Sequence, residues 1–386
     1  MRSRRGSIPE KADRHAGTLG FTRSPSEDDP RRDPRLLASI ERVAPGTELR
    51  QGIDDIIRSH EGALIVFCDP EGLSFLYSGG MRLDLVFTGQ HLYELAKMDG
   101  AIIVKDNLSK IAYANVQLMP DPTISSDETG TRHRTAERVA KQTGAFVVSI
   151  SQQRETVTIF QGKQRYQLDP VPVVLAKTNQ ALATLDTYRT RLEQVLTRLT
   201  ALEFQNAVVL DDVLVVLQRA ELTTRMAEEI ERNCVELGSE GRLIRMRLTE
   251  LLGDVPGQRA AVVNDYHVAG GGPEAVLALE GLSALSYQEL LEFERIAELL
   301  GYPRTVNPLD HSVSPRGYRV LSNIPRLPSG VINRVVADLE GLDAIVRASQ
   351  RDLEAVHGVG AARARDIREG LRRLQEHNLV DRYLQL

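Results

Sequence analysis

The chain has 386 residues, of which 42% are hydrophobic, and a chain of this length predicts two or three domains with separate cores. Its net charge of −5 and pI near 6.0 argue against a protein that coats nucleic acid through bulk positive charge, so any such contact has to be local. The sequence contains neither an apolar run of transmembrane length nor a signal-peptide core, and we expect a cytoplasmic protein without membrane contact. Cys68 and Cys234 lack metal-ligand spacing, which predicts buried thiols.

The first segment, residues 1–33, mixes Arg, Ser, Pro, Gly, Glu and Asp and contains few large apolar side chains. Such a segment buries too little surface to offset the entropy of ordering. We therefore expect a disordered N-terminal tail. Arg2, Arg4 and Arg5 are able to touch a nucleic acid, but a solvated extension is the simpler interpretation, and no function is assigned to the tail.

Residues 34–170 alternate short β-type runs with helical ones. Apolar, β-branched runs predict strands at 63–67, 101–104, 111–116, 145–151 and 156–160. A helix is predicted at 90–98, and a second helix is indicated by apolar or small residues at i, i+3, i+4 and i+7, namely Ala136, Val139, Ala140 and Thr143. The pattern predicts an α/β domain with a central mixed sheet.

Long helices dominate residues 171–310 and are predicted at 208–217, 226–237 and 242–252. An earlier helix carries residues at alternating spacings of three and four, namely Leu185, Tyr188, Leu192, Val195, Leu199 and Leu202. This seam is typical of a helix packed along another helix, and it predicts either the core of an all-α spine or a contact between subunits. The acidic residues of these helices, Glu203 among them, are expected to face solvent.

The last segment, residues 311–386, is predicted to be an all-α helix-hairpin-helix domain. Its second hairpin has a Gly-rich turn whose N–H groups suit a DNA phosphate, formed by Gly358, Val359 and Gly360. Arg363 and Arg365 follow and favour binding to the DNA backbone. The first hairpin, at 324–330, has Pro328 in its turn and is interpreted as structural, because proline has no N–H to donate.

The charge of this last unit is nearly balanced. From residue 301 onward there are thirteen Arg and ten Asp or Glu residues. A single unit is therefore expected to bind DNA weakly, and several units in an oligomer would compensate.

Phosphate-binding chemistry is concentrated between residues 128 and 138. Gly130 is a natural break before a helix, so Thr131 would begin a first turn, where free N–H groups and the positive end of the helix dipole attract anions. Arg132 and Arg134 add planar donors suited to phosphate oxygens. The alternative is a solvated basic helix start that pairs with Glu128 or Glu137.

A second clue lies upstream, at a predicted helix-to-strand corner formed by Asp99 and Gly100. Gly100 permits a tight turn and close approach by a sugar or phosphate, and Asp99 can hold a divalent cation or accept a hydroxyl proton. Asp-Gly alone usually marks a turn. Together with the arginine-rich segment it favours a nucleotide site.

These two segments resemble the Asp-Gly-Ala and Arg-His-Arg motifs of the diadenylate cyclase domain. The similarity covers residues 92–103, 114–116 and 128–138. The order of cyclase domain, helical spine and helix-hairpin-helix unit resembles that of the DNA-integrity-scanning diadenylate cyclase family, over essentially the whole chain after the tail.

The resemblance implies that two ATP molecules condense into cyclic di-AMP with release of two pyrophosphates. Asp99 would help Mg²⁺ or Mn²⁺ activate the ribose 3′-hydroxyl, and Gly100 and Leu118 would line the nucleoside. The residues implied to hold the triphosphate are Thr131, Arg132, His133, Arg134, Thr135, Ser151 and Arg154. The family often has a basic run after that serine, whereas Gln152 and Gln153 stand here, so one phosphate contact would be weaker or supplied by Arg154 alone.

This chemistry requires each ATP to supply a 3′-oxygen and to offer its α-phosphorus for in-line attack. Two cyclase domains that face each other across a twofold axis satisfy this demand, and the family is octameric. The resemblance also implies DNA-damage checkpoint signalling in the bacterial cytoplasm, regulated by junction or other branched DNA and associated with the nucleoid when DNA is bound. The alternatives are a non-enzymatic DNA-binding scaffold that senses nucleotide and a nucleotidyltransferase with another acceptor.

Overall fold

The computed structural model describes the backbone of residues 29–384 and the side chains of residues 29–376. The described part begins with an α/β domain that contains four helices and eight strands. In chain order they are α1 (Pro34–Arg42), α2 (Glu48–Arg58), β1 (Ala63–Phe67), β2 (Tyr77–Ser78), β3 (Met81–Val86), α3 (Gly89–Ala96), β4 (Ala101–Val104), β5 (Lys110–Leu118), α4 (Thr131–Thr143), β6 (Phe146–Ser151), β7 (Thr156–Gln161) and β8 (Gln164–Gln167).

The strands form one sheet in the order β2-β5-β4-β1-β6-β7-β8, with β3 also paired to β5. The β1–β4 pair is parallel and the other pairs are antiparallel, so the predicted mixed sheet is confirmed. Five strands correspond to predicted ones. Strands β2, β3 and β8 are not predicted from the sequence, because they are partly exposed and carry no continuous buried apolar run.

Helices cover both faces of the sheet. On one face lie α1, α2 and α3, whose fully buried residues include Leu36, Ile40, Ile53 and Leu92. On the other face α4 buries Ala136, Val139 and Ala140, which belong to the stripe predicted from the sequence. The central strands β1, β4 and β6 are buried on both sides, which explains why their sequences are almost continuously apolar.

The spine follows directly and, within the described residues, contains seven helices. They are α5 (Val171–Phe204), α6 (Leu210–Leu237), α7 (Arg242–Leu252), α8 (Val255–Tyr266), α9 (Pro273–Ala284), α10 (Tyr287–Leu291) and α11 (Phe293–Leu299). The 34 residues of α5 correspond to a rod of about 51 Å. Leu185, Leu192 and Leu199 of the predicted seam are fully buried, and α5 packs against α6, so the seam belongs to an intramolecular core.

The two helices predicted at 208–217 and 226–237 are a single helix, α6. Between them lie Thr223 and Thr224, β-branched residues of low helix propensity. Their hydroxyls donate to carbonyl oxygens one turn back, at Arg219 over 2.7 Å and at Ala220 over 2.9 Å. Packing of this helix against the rest of the spine therefore outweighs the weak local propensity.

The last unit consists of α12 (Tyr318–Ser322), α13 (Ser329–Leu339), α14 (Leu342–Arg347), α15 (Gln350–Ala355) and α16 (Ala361–Leu384). It has a core of its own, with buried residues that include Val320, Leu321, Val335, Leu353 and Ile367. It also packs on the spine, with α12 against α8 and α16 against α5. The segment is helical within the described residues, as the predicted all-α fold requires.

A buried ion pair joins the spine to this last unit. Arg319 of α12 contacts the Glu203 carboxylate of α5, with Nε donating to Oε1 over 3.0 Å, and the two side chains are 2% and 0% exposed. Tyr266 donates to the same carboxylate over 2.8 Å. The expectation that Glu203 faces solvent is therefore wrong. Its cationic partner lies 116 residues further along the chain, where helical periodicity gives no information.

The same junction fixes the start of α12. Asp265 of α8 is completely buried, and its carboxylate accepts N–H bonds from Gly317, Tyr318 and Arg319 over 2.6, 2.7 and 2.8 Å. A carboxylate at a helix N-terminus satisfies donors that have no partner inside the helix. Two helices of the spine thus hold α12 through side chains.

The described part begins at Asp29, and residues 1–28 of the predicted tail lie outside it. Residues 29–33 are ordered, which corrects the predicted tail boundary. Asp29 accepts a bond from Nε of Arg232 over 3.2 Å, and Nη1 of Arg31 donates to Asn233 over 2.7 Å. These partners on α6 lie 203 and 202 residues along the chain, so local composition does not reveal them.

Both cysteines are free and buried, as predicted. Burial raises the pKa of Cys68 to about 12 and that of Cys234 to about 11, so both thiols stay protonated and unreactive near neutral pH. Among the helices of the described part, none is both long enough and apolar enough to cross a bilayer.

Candidate functional site

One end of the sheet collects the residues predicted to bind nucleotide. The parallel strands β1 and β4 begin at this end, and β5 and β6 end there because each runs antiparallel to its neighbour. Leu118 and Ser151 close β5 and β6, while Asp99 and Gly100 precede β4. The four strands β5, β4, β1 and β6 are adjacent, so these residues span about 14 Å at the usual strand spacing.

The start of α4 is where the sequence predicted it. Gly130 is the N-cap residue and provides no side-chain bond, and the first intrahelical bond runs from the N–H of Arg134 to the carbonyl oxygen of Gly130 over 2.9 Å. The N–H groups of the residues between them therefore have no acceptor inside the helix. Together with the helix dipole they form an anion-binding position.

Arg132 reaches from this helix start to the beginning of β1. Its guanidinium occupies the space where a Cβ on Gly62 would stand, and the carbonyl oxygen of Ile150 lies 3.2 Å from the same point. Any side chain at position 62 would displace the guanidinium. Gly62 carries no signal in the sequence, because a glycine before a strand looks like an ordinary turn residue.

Cations surround His133, which is half-buried in the first turn of α4. Burial lowers the pKa of His133, and the positive charges of Arg165, Arg132 and Arg154 lower it further. The negative charge of Glu128 partly offsets this by raising the pKa. The imidazole is therefore neutral near pH 7 and can donate one hydrogen bond. Arg165 lies on β8 and forms an ion pair with Glu128. No local pattern marks Arg165, and the sequence analysis missed it.

The alternative interpretation of this segment, a basic helix start paired with nearby glutamates, does not match the contacts. The Glu128 carboxylate is taken by Arg165, and that of Glu137 pairs with Lys141 over 2.8 Å. Arg134 is exposed and donates only to the carbonyl oxygens of Glu128 and Thr129, over 3.3 and 3.5 Å. Within the described residues, the cationic side chains of the helix start have no carboxylate partner.

The corner before β4 is tight and open to solvent. Gly100 has a φ of +89°, and a Cβ there would lie 2.8 Å from the carbonyl oxygen of Val116, so this position requires glycine. The neighbouring Asp99 is exposed, and no hydrogen bond or ion pair within the described residues engages its carboxylate. Leu118 is half-buried at the end of β5, where it offers apolar surface beside this corner.

At the other side of the same end, a turn connects β6 to β7. The Ser151 hydroxyl accepts the N–H of Arg154 over 3.3 Å, which fixes the turn. Gln152 and Gln153 are exposed. Arg154 is close enough to affect the pKa of His133, so it adds the cation that the two glutamines do not provide.

One candidate ligand for the predicted metal lies at this corner. Asp99 is a free carboxylate, and the described residues contain no cluster of three or more His, Cys, Asp or Glu side chains able to form a cage. Mg²⁺ is usually bound by one or two carboxylates together with substrate phosphates and water. The chain's donor set fits an ion that arrives with ATP.

The predicted DNA-binding hairpin joins α15 to α16. Gly358 has a φ of +84°, and Nη1 of Arg363 donates to its carbonyl oxygen over 2.7 Å. The N–H of Val359 already bonds to Val356 over 3.0 Å and its side chain is buried, which corrects its predicted role as a phosphate donor. Gly360, at the start of α16, is exposed and has open space where a Cβ would stand. Arg365 is also exposed.

Comparison with known protein families gives matches to the α/β domain and to the spine. Residues 50–165 match the family described as "DisA bacterial checkpoint controller nucleotide-binding", and residues 168–309 match "DisA bacterial checkpoint controller linker region". Among solved structures, that of DacA from Staphylococcus aureus is 25% identical and covers 36% of this chain and 88% of that chain with a TM-score of 0.26, an overlap too limited to support an argument.

Similar proteins extend over nearly the whole chain. The DNA integrity scanning protein DisA of Carboxydothermus hydrogenoformans is 48% identical over 347 residues, which are 89% of this chain and 98% of that protein. Its namesake from Acetivibrio thermocellus is 46% identical over 353 residues, 92% of this chain and 98% of that protein. These matches confirm the resemblance and the predicted enzyme class, a diadenylate cyclase. The chain belongs to the DisA family of bacterial checkpoint controllers.

Proposed function

We propose that this protein condenses two ATP molecules into cyclic di-AMP and releases two pyrophosphates. The observation that carries the proposal is that cationic phosphate-binding donors and a free carboxylate lie at the same end of the sheet. A helix start with unpaired cations faces the same end as an exposed carboxylate, Asp99, beside a glycine corner. The cations suit a triphosphate and the carboxylate suits the reacting ribose.

The residues of this chain would bind the ATP triphosphate and orient the nucleotide. The free N–H groups of α4, with Arg132 held against Gly62, receive the phosphate oxygens and neutralise their charge. Neutral His133 donates a hydrogen bond without adding to the cationic cluster, while the exposed side chains of Arg134 and Arg154 contribute positive charge at its edge. Thr131, Thr135 and Ser151 add hydroxyl donors. Gly100 and Leu118 leave room for the nucleoside.

Asp99 acts at the reacting oxygen. Its exposed carboxylate would hold the cation that accompanies ATP and take up the proton of the ribose 3′-hydroxyl. When bound, Mg²⁺ or Mn²⁺ would neutralise phosphate charge and lower the pKa of the attacking hydroxyl.

One copy of this site is incomplete for the reaction. Each ATP has to present its 3′-oxygen to the α-phosphorus of the other, in line with the leaving pyrophosphate. Two cyclase domains facing each other across a twofold axis provide this geometry, and the exposure of Asp99 and Gly100 leaves their corner accessible to a second copy. The proposed assembly is an octamer built from such face-to-face pairs.

Product analysis tests this proposal. Purified protein is incubated with ATP and Mg²⁺ or Mn²⁺, and the products are identified by mass. Cyclic di-AMP and pyrophosphate in a ratio of one to two are expected. A linear adenylylated product would instead support a nucleotidyltransferase with another acceptor, and bound but unchanged ATP would support a non-enzymatic scaffold that senses nucleotide.

DNA is the proposed regulator of this activity. The C-terminal unit presents the exposed start of α16 together with Arg363 and Arg365, a combination suited to phosphate groups of the DNA backbone. It contacts α5, the helix that begins directly after the cyclase sheet. Branched DNA bound there would alter how paired cyclase domains face each other, as expected for a checkpoint protein acting at the nucleoid in the cytoplasm.

Titration of junction DNA into the cyclase assay provides the measurement. We expect the rate of cyclic di-AMP formation to fall as junction DNA is added, because the paired sites lose their alignment. Linear duplex of the same length and charge serves as the control and is expected to have a smaller effect. An unchanged rate at saturating junction DNA would rule out the coupling while leaving the cyclase reaction intact.

A further inference from the structure

The side chain of Arg334 connects the two hairpins of the C-terminal unit. Arg334 lies on α13, the second helix of the first hairpin, and its Nε donates to the carbonyl oxygen of His357 over 2.6 Å. Its guanidinium also packs on Gly358, where a Cβ would stand 2.7 Å from Nη2 and 3.3 Å from Cζ. A side chain of the first hairpin therefore supports the turn of the second.

A second contact fixes the same pair of hairpins. Ile324, at the turn of the first hairpin, lies so close to Gly370 of α16 that a Cβ on the glycine would be 2.9 Å from two of its carbon atoms. The backbone of α16 thus rests directly on the first hairpin. Together with Arg334, this contact fixes the turn and the second helix of the second hairpin relative to the first.

The bond to His357 determines the direction of the next N–H group. The peptide unit between His357 and Gly358 is planar and trans, because the described chain contains no cis peptide bond. In such a unit the C=O and N–H bonds point in opposite directions. When Arg334 holds the His357 oxygen on its own side, the Gly358 N–H points away from it. Gly358 is one of the donors predicted to bind a DNA phosphate.

The Nε donor of Arg334 is therefore used inside the protein. Its side chain is half-buried, and the carbonyl oxygen of Gly358 is held from another side by Arg363 over 2.7 Å. Both carbonyl groups at the tip of the turn are thus bound by arginines. The turn is preorganised before any ligand arrives, which reduces the ordering cost of binding.

We infer that Arg334 is a positioning residue for DNA binding, which orients the Gly358 N–H toward a backbone phosphate without contacting the DNA. The first hairpin, whose Pro328 lacks an N–H, supports the second and does not bind phosphate itself. This inference rests on the proposed DNA binding of the C-terminal unit.

Substitution Arg334→Lys separates positioning from direct phosphate contact. Lysine keeps the positive charge but lacks the Nε donor and the planar group that packs on Gly358. We expect duplex DNA to bind about tenfold more weakly, the effect of one hydrogen bond to a charged group. The slope of log affinity against log salt concentration should not change, because no cation leaves a phosphate. Fluorescence anisotropy at several NaCl concentrations measures both quantities.

Three further variants define the result. Gly358→Ala adds a methyl group against the same guanidinium, at a φ that favours glycine, and should weaken binding like Arg334→Lys without any change in charge. Arg365→Ala removes an exposed cation and should lower the salt slope by about one. Arg347→Lys is the matched control, because Arg347 is exposed and pairs only with Asp343, over 2.8 Å, and it should bind like wild type.

The possible outcomes differ clearly. If Arg334→Lys and Gly358→Ala bind DNA as tightly as wild type, positioning by Arg334 is wrong. Arg334→Ala is compared with Arg334→Lys for the same reason. If the alanine variant binds DNA more weakly and lowers the salt slope by about one, while the lysine variant binds like wild type, Arg334 contacts phosphate directly. The inference is then also wrong. If wild type itself binds no DNA, the proposed DNA binding fails, and the inference with it. Cyclase rates without DNA and thermal unfolding midpoints should be unchanged in the control variant Arg347→Lys.

Discussion

Replacement of Asp99 by asparagine should abolish most cyclase turnover while leaving ATP binding nearly intact. The amide has the shape of the carboxylate but cannot carry its charge or take up a proton. Loss of a positioned acid–base group costs about 10²- to 10⁴-fold in rate. ATP should still bind, because the cations around His133 lie on α4, on β8 and in the turn between β6 and β7 and do not depend on Asp99. The rate of cyclic di-AMP formation and the Kd for ATP, measured on the same preparation, check both parts.

Asp106→Asn is the matched control for this experiment. Asp106 is an exposed carboxylate just beyond the opposite end of β4, where it pairs with Arg42 over 3.1 Å. Removing an exposed pair costs less than about 1 kcal/mol, so its turnover should resemble that of wild type. Normal turnover by Asp99→Asn would show that the role assigned to Asp99 is wrong. Equal loss of ATP binding and turnover would place Asp99 in binding only.

Replacement of Arg319 by methionine should destabilise the junction between the spine and the C-terminal unit. The change leaves the Glu203 carboxylate buried without its cation, and breaking a buried pair in this way costs about 3–5 kcal/mol. Tyr266 still donates one hydrogen bond, but it carries no compensating charge. Guanidinium denaturation should therefore show a large drop in midpoint for the transition that involves the C-terminal unit.

Two companion variants identify the cause of that drop. Arg319→Met combined with Glu203→Gln removes both charges and should regain most of the lost stability, because a neutral amide is less costly to bury than an unpaired carboxylate. Arg347→Met breaks an exposed pair with Asp343 and should change stability by less than about 1 kcal/mol. If Arg319→Met is no more destabilising than Arg347→Met, the junction does not depend on the ion pair.

The candidate site illustrates what a sequence pattern can and cannot predict. The start of α4 at Thr131 and the corner at Gly100 follow from local requirements, an exposed helix N-terminus and a positive φ, and both were predicted. Gly62 and Arg165 belong to the same site but carry no local signal. They matter because the fold places β1 beside α4 and brings Arg165 of β8 to Glu128, just before that helix. Only the strand order determines which residues these are.

The same limit explains the errors at the ends of the spine. Glu203 was expected to face solvent because a charge on a long helix usually does, yet its partner Arg319 is 116 residues away. Residues 29–33 were assigned to a disordered tail because their composition is polar, yet Asp29 and Arg31 find partners on α6. In both cases a polar residue is ordered by a distant charge of opposite sign.

The sequence by itself determined the elements whose cause is local: apolar runs that became the central strands, the seam of α5, the turn chemistry at Gly100, Gly130 and Gly358, and the motifs that indicate the family. Only the tertiary structure decided which charges are buried, which arginine lies against which glycine, and which turn N–H groups remain free. The physical reason is that backbone preferences and hydrophobic periodicity act over a few residues. Ion pairs and close packing, in contrast, depend on neighbours that the chain brings together from any distance.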